Sequence, residues 1–177
     1  MNVAQRPPDE WMRLVALQDL DILDTPSEEP FDTLVELASH LMDAPIAIVG
    51  FLDANRHWFK ATKGCEVREF PRDLSFCNTA ILEYRPMVIE DATRDVRFCD
   101  APQVTGHPQI RFYAGAQIRT FDDHCVGTLC VMDTTPHRPT IQQIGHLELL
   151  ARLGTQLVEY RRVGVRNSDR WDSRRGA

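Results

Sequence analysis

The residues best suited to recognise or transform a small molecule lie in one strand-like stretch and a few short blocks around it. The stretch QIRFYAGAQI, residues 109–118, alternates in character. Ile110, Phe112, Ala114, Ala116 and Ile118 fall on one side, and Arg111, Tyr113, Gly115 and Gln117 on the other. The first side is ordinary core. The second sets a guanidinium and a phenol beside a bare glycine, which suits water, a partner or a small ligand. In PRDLSFC, Ser75 is placed to cap a short helix starting at Phe76, and the first N–H groups of such a helix suit an anion or a carbonyl. Cys77 stands near that helix start, where a thiol pKa falls and the sulfur becomes reactive. VIEDATRDVRF brings Asp91, Arg94 and Arg97. In GTLCVMD, Thr128 and Cys130 share one strand face, and Leu129 and Val131 share the other.

Each of these residues also has a plain structural reading. Arg111 is served by pairing with Asp91 or Asp95, which would tie down the loop between them, since a buried guanidinium needs such partners. That role is compatible with ligand contact. Trp58 and Phe59 point to opposite faces of their strand, and both suit the core. Cys77 and Cys130 fit inert packing, because a free cysteine behaves as a small apolar group. The five cysteines, Cys65, Cys77, Cys99, Cys125 and Cys130, are odd in number, scattered and without a C-x-x-C pair. They read as reduced, mostly buried thiols. His107, His124, His137 and His146 show no ligand-like clustering with cysteines, so no metal site is expected.

The elements that must position these groups follow from periodicity. A helix is expected over 9–20, with Trp11, Leu14, Val15 and Leu17 as its apolar side chains. A clearer one carries Phe31, Leu34, Val35, Ala38, Leu41 and Met42 at helical spacing. Thr25 or Ser27 is placed to cap it, and Pro45 blocks its continuation. Strands are expected over 46–53 and 56–64, joined by a turn at Asp53-Ala54-Asn55, then a polar connection and a short helix over 76–84. A further strand covers 87–91. Residues 92–109 hold two prolines and little periodicity, and so long a connection inside a compact domain is usually functional. The 109–118 strand turns at Asp122-Asp123-His124 into 125–133. A last helix over 141–162 carries Ile144, Leu147, Leu150, Ala151, Gly154, Leu157 and Val158 along one stripe. The polar tail from Gly164, rich in arginine, reads as disordered, and frayed in solvent.

The order α, α, β, β, α, β, loop, β, β, α, with its hairpins, implies an α+β fold. Its central antiparallel sheet has terminal helices on one face and the short helix and loops on the other. The 177 residues suit one domain with extensions: 1–8 ahead, 9–163 folded, 164–177 behind. A formal net charge of −6 speaks against a nucleic-acid binder, and no apolar run reaches the roughly 20 residues of a membrane span. The N-terminus has no apolar segment of a secretory signal, so the cytoplasm is the expected compartment.

The blocks ILDTP, FDTLVELASHLMDAPIAIV, WFKA, PRDLSFC, VIEDATRDVRF, IRFYAGAQI and GTLCVMD resemble the GAF family of sensor domains, in particular the bacterial ones beside diguanylate cyclases and histidine kinases. The resemblance covers roughly residues 9–162. It implies a GAF/PAS-like sheet, dimerisation through the terminal helices, and a small ligand held under the short helix and loops. Cyclic nucleotides, tetrapyrroles and small metabolites are the family's ligands. On that basis Ser75, Phe76, Cys77, Asp91, Phe98, Arg111, Tyr113, Thr128 and Cys130 are the expected ligand-binding residues, with Phe76 and Phe98 flanking the pocket. Two departures stand out. Asp122-Asp123-His124 lacks the glycine usual in the family's last hairpin turn, and Gln117 replaces a common proline. The implied function is a sensory or regulatory module in signal transduction, with an unknown ligand or cofactor, acting as a homodimer or on a signalling partner in trans. Two alternatives stand beside it: a dimerisation scaffold with a collapsed pocket, and a cysteine-based reductase of free methionine sulfoxide. The second needs a glycine-rich surrounding that this chain lacks. No Cys-His pair of the bilin-binding kind is present, and no catalytic constellation is expected.

Overall fold

The computed structural model describes the backbone of residues 5–175 and the side chains of residues 5–164. In chain order the elements are α1 (Glu10–Gln18), α2 (Glu29–Met42), β1 (Ile46–Leu52), β2 (Arg56–Lys63), β3 (Glu69–Pro71) and a 3-10 turn (Arg72–Leu74). Then come α3 (Phe76–Ala80), β4 (Met87–Ile89), α4 (Pro102–Thr105), β5 (Phe112–Arg119), β6 (Cys125–Asp133) and α5 (Ile141–Arg175). The sheet order is β3-β2-β1-β6-β5-β4, with every neighbouring pair antiparallel.

Alternation along the central strands divides the interior in two. Ala47, Val49 and Phe51 of β1, Leu129 and Val131 of β6, and Phe112, Ala114, Ala116 and Ile118 of β5 meet α2 and α5. Ile48, Phe59, Tyr113 and Cys130 look the other way, toward α3, α4 and the 92–109 connection. Trp58 and Phe59 separate onto the two faces as their positions require. β2 carries one extra residue opposite the Val49/Gly50 step, and that residue, Lys60, turns to the helix side. There its buried ammonium donates to Thr25 Oγ1 (2.8 Å), Pro26 O (2.6 Å) and Glu28 Oε1 (2.6 Å). Arg161 of α5 donates to the same Glu28 carboxylate at 3.0 Å, so one acid ties the sheet to the last helix.

Several local expectations change. Neither Thr25 nor Ser27 caps α2; the cap residue is Glu28, and Thr25 is taken up by Ile22 O and Lys60. In α1, Trp11, Met12 and Val15 face outward, whereas Arg13 and Leu17 are buried, as is Leu20 just after the helix. Leu41 of α2 lies at the surface. The polar connection after β2 contains the short edge strand β3, and the 92–109 connection contains α4. The Asp123 backbone takes φ 66°, so the glycine-free turn forms, and Arg119 Nε anchors the Asp123 carboxylate at 2.6 Å. The last helix does not stop at Arg162. Its backbone stays helical to Arg175, since after Pro139 no proline interrupts it and glycine at 164 only weakens a helix. The arginine side chains from Arg166 on, and residues 1–4, lie outside the described residues.

Candidate functional site

Ser75 initiates α3 as expected. Its Oγ accepts the Cys77 N–H at 3.1 Å, and its carbonyl accepts the Asn78 N–H at 3.2 Å. Two of the first-turn donors expected to hold an anion or carbonyl, those of Cys77 and Asn78, are therefore used within the chain. Ser75 Oγ also lies 3.0 Å from His57 Nδ1. With the hydroxyl proton directed to Nδ1, the imidazole carries its own proton on Nε2. That Nε2 is buried and has no partner. The ring lies over Gly50: a Cβ at that position would come within 2.1 Å of Nε2. Tyr113 lies over Gly115 in the same way, with its hydroxyl 2.1 Å from where a Cβ would stand. Two bare glycines, in the strands β1 and β5 on either side of β6, thus let two polar rings lie flat on the sheet.

Beside them the sulfurs gather. Cys77 Sγ is 3.3 Å from Tyr113 Oη and 3.6 Å from Cys130 Sγ. Burial works against the Cys77 thiolate, but the Cys130 thiol, His57 and Thr128 favour it, and the balance lies below an ordinary thiol. Cys130 is pushed up by its bond to Cys77 and by burial. Tyr113 is pushed up by burial and by the charge on Cys77. Cys125, further along β6, is raised by burial to about 12.

Above this floor is a cavity of about 550 Å³. Its walls are mostly apolar, with Ile48, Phe59, Phe76, Ile110 and Met132 prominent, and Gln103 of α4 enters from the loop side. Gln103 Nε2 donates to Leu74 O at 2.7 Å, leaving its Oε1 buried without a partner.

Ser75, Phe76, Cys77, Tyr113 and Cys130 of the expected set line this cavity. Phe98 stands behind Phe76, edge to face at 4.8 Å between ring centres, and so supports the wall without lining it. Thr128 is buried with a free Oγ1, near Cys77 but outside the lining. Asp91 and Arg111 are elsewhere. Asp91 folds back on Thr93, accepting its N–H at 3.1 Å and its hydroxyl at 2.7 Å, and those bonds hold its carboxyl below the usual range. Arg111 donates to the carbonyls of Val104 (2.9 Å), Gln109 (3.0 Å) and Ile110 (3.2 Å). It ties down the loop as the structural reading had it, but through backbone carbonyls and with no direct Asp91 or Asp95 pair. The cause lies in the backbone. β5 begins only at Phe112, and Gln109 takes φ 63°, so the alternation does not extend back to 110 and 111. Ile110 enters the pocket side, and Arg111 leaves it.

His57, Gln103 and Gly50 were not among the expected site residues. His57 was legible in principle, since it stands two residues before Phe59 in a strand and so shares its face. Gln103 sits in a stretch without periodicity and gave no signal. Gln117, the replacement for a common proline, donates to Ile81 O at 2.8 Å and holds the far end of α3 to β5. Among the described residues, no group of three His, Cys, Asp or Glu is placed to hold a metal ion, and no helix is long and apolar enough to cross a membrane.

A sheet with long helices on one face and a loop-covered cavity on the other defines a sensor-type α+β domain. The chain belongs to the GAF domain family, whose model matches residues 26–158. It is 40% identical over 148 residues to a cyclic di-GMP phosphodiesterase of Pseudomonas aeruginosa, a match covering 83% of this chain and 25% of that protein. The chain thus spans about a quarter of that relative's length. Among solved structures it is similar to the GAF domain of an Acinetobacter phosphoenolpyruvate-protein phosphotransferase. That likeness has a TM-score of 0.61 and 14% identity, over 84% of this chain and 97% of that one. It is also similar to a type II free methionine-R-sulfoxide reductase from Thermoplasma acidophilum, with TM-score 0.59 and 12% identity over 74% and 93% of the two chains. At such identities the likeness is one of fold. GAF domains are in general regulatory rather than catalytic, and this one is of the bacterial signalling type.

Proposed function

We propose that the domain is a cytoplasmic regulatory sensor that takes a small, largely apolar ligand in the covered cavity and answers through its helical face. The observation that carries this reading is the pair of buried, unpartnered polar atoms on cavity-lining side chains, His57 Nε2 and Gln103 Oε1. A buried polar atom without a partner costs about 1–3 kcal/mol. A ligand that accepts from the imidazole and donates to the amide would remove both penalties while covering apolar wall. Native mass spectrometry of the purified protein tests this. A bound mass that disappears on denaturation, and is lost in His57→Ala and Gln103→Ala, is the expected result. A protein of bare chain mass that gives no thermal shift with any compound of a metabolite library would turn the reading toward a scaffold.

The helical face supports a homodimer. Leu37 and Leu41 of α2, and Leu149, Leu153 and Tyr160 of α5, are exposed on the outer side of two helices packed together. Residues four apart lie along one helix face, so these side chains form ridges that a second copy can cover. A signalling partner in trans would read the same layer, and any activity of a longer protein containing this domain would be governed through it.

A further inference from the structure

The sulfurs of Cys77 and Cys130 are 3.6 Å apart, although one comes from the short helix over the pocket and the other from the sheet beneath it. Simple packing does not call for this arrangement. Two apolar thiols would be expected among aliphatic neighbours, whereas these meet the Tyr113 hydroxyl, the free Thr128 hydroxyl and the His57 ring. A phenol O–H directed at Cys77 Sγ stabilises negative charge there. Both cysteines also line the cavity, Cys77 with 2% exposure and Cys130 with none, so a small oxidant held in the cavity meets Cys77 first. Cys99, by contrast, is exposed, and Cys125 is buried away from the cavity.

We propose that Cys77 and Cys130 form an oxidisable dithiol in the pocket floor, converted by a small hydroperoxide into a disulfide that joins α3 to β6. In the first step the Cys77 thiolate attacks the terminal oxygen of the hydroperoxide. An S–O bond forms, the O–O bond breaks, and the departing alkoxide takes up the proton that Cys77 released, giving an alcohol and Cys77 sulfenic acid. In the second step Cys130 sulfur attacks Cys77 sulfur. The S–S bond forms, the S–O bond breaks, and hydroxide leaves with the Cys130 proton as water. The two thiols together lose two electrons and two protons, and the hydroperoxide is reduced to alcohol and water. The S–S distance falls from 3.6 Å to about 2 Å, which draws α3 toward β6. This does not depend on a resident ligand, since the cavity serves only as the oxidant's path.

The test uses the reduced full chain, treated with hydrogen peroxide or tert-butyl hydroperoxide in slight excess and quenched with iodoacetamide in denaturant, so that the buried thiols are reached. Expected are a loss of about 2 Da in intact mass before alkylation, a fall in alkylated thiols from five to three, and one linked peptide pair containing Cys77 and Cys130. All of these are reversed by dithiothreitol. Cys99→Ser keeps the link, and Cys77→Ser and Cys130→Ser each abolish it. The wild-type peptide map stands even where a variant folds poorly. Oxidation confined to Cys99, or oxygen added to Cys77 with no Cys77–Cys130 link, would overturn the proposal.

Discussion

Glu10 offers the sharpest test of how this fold is held. Its carboxylate bridges two fully buried guanidiniums: Arg13 at 2.8 and 2.9 Å and Arg72 at 2.5 and 3.1 Å. Arg72 continues to Asp53 O at 2.8 Å and to Asn78 Oδ1 of α3 at 2.7 Å, so the first helix is wired to the pocket helix through one acid. Burial alone would raise Glu10, but the hydrogen bonds and charges of Arg13 and Arg72 outweigh it and bring the carboxyl from 4.5 down to about 2. Burial weakens the Arg72 proton affinity, and Glu10 offsets that only in part. A drop of that size corresponds to about 3.4 kcal/mol at most, at about 1.36 kcal/mol per pH unit. The Glu10 side chain remains 21% exposed, and solvent screening brings the figure to about 2 kcal/mol.

Because the folded value lies below the unfolded one, this stabilisation is fully present above about pH 5 and drains away as the pH falls toward 2. Glu10→Gln should therefore lower stability by about 2–4 kcal/mol at pH 7. In urea that is roughly a 1 M shift of the midpoint, followed by fluorescence of the buried Trp58. The gap between the two proteins should narrow steadily as the pH falls from 5 toward 2, and be clearly smaller at pH 3 than at pH 7. Other depressed carboxylates, such as Glu28 and Asp95, titrate in both and cancel. A gap of equal size at pH 7 and pH 3 would refute the electrostatic origin assigned to this contact.

Other expectations are as direct. Gly50→Ala drives a methyl into His57 Nε2, and the ring is pinned by Ser75, so the cost should be about 1–3 kcal/mol in urea unfolding, falling below about 1 kcal/mol in a His57→Ala background. Lys60→Met keeps much of the volume but strips Glu28 and Pro26 O of a buried donor. A loss of about 2–3 kcal/mol is expected by the same assay, and an unchanged midpoint would show that the bulge needs no charge. Leu149→Asp with Leu153→Asp should halve the mass seen by light scattering while leaving the circular dichroism intact; a persistent dimer would place the contact elsewhere.

The fold was legible wherever periodicity was strong. β6 runs over the residues expected of it, and α2 buries Phe31, Leu34, Val35, Ala38 and Met42. The α5 stripe holds Leu147, Leu150, Ala151 and Val158 against the sheet. Failures came where one local choice overrode a pattern. Glu10 and Arg13 faced inward at the expense of Trp11 because a buried ion cluster, which no hydrophobic pattern encodes, sets the roll of α1. The site was half legible for the same reason. Ser75, Cys77, Tyr113 and Cys130 lie on regular elements whose facing can be counted. Arg111 lies one residue before its strand begins, and a single left-handed residue at Gln109 moved it off the pocket.

The two strands at the margins of the sheet, β3 and β4, are three residues long each. Pro71 sits within the first, and Pro86 immediately precedes the second. A proline offers no N–H to an incoming strand, and a ladder so brief gives a stranger little to pair with. The molecule is thereby closed to lateral growth, since neither rim templates the addition of another chain. A second copy seated on the helices, as proposed, would leave the opposite face, with its covered cavity, out of the contact.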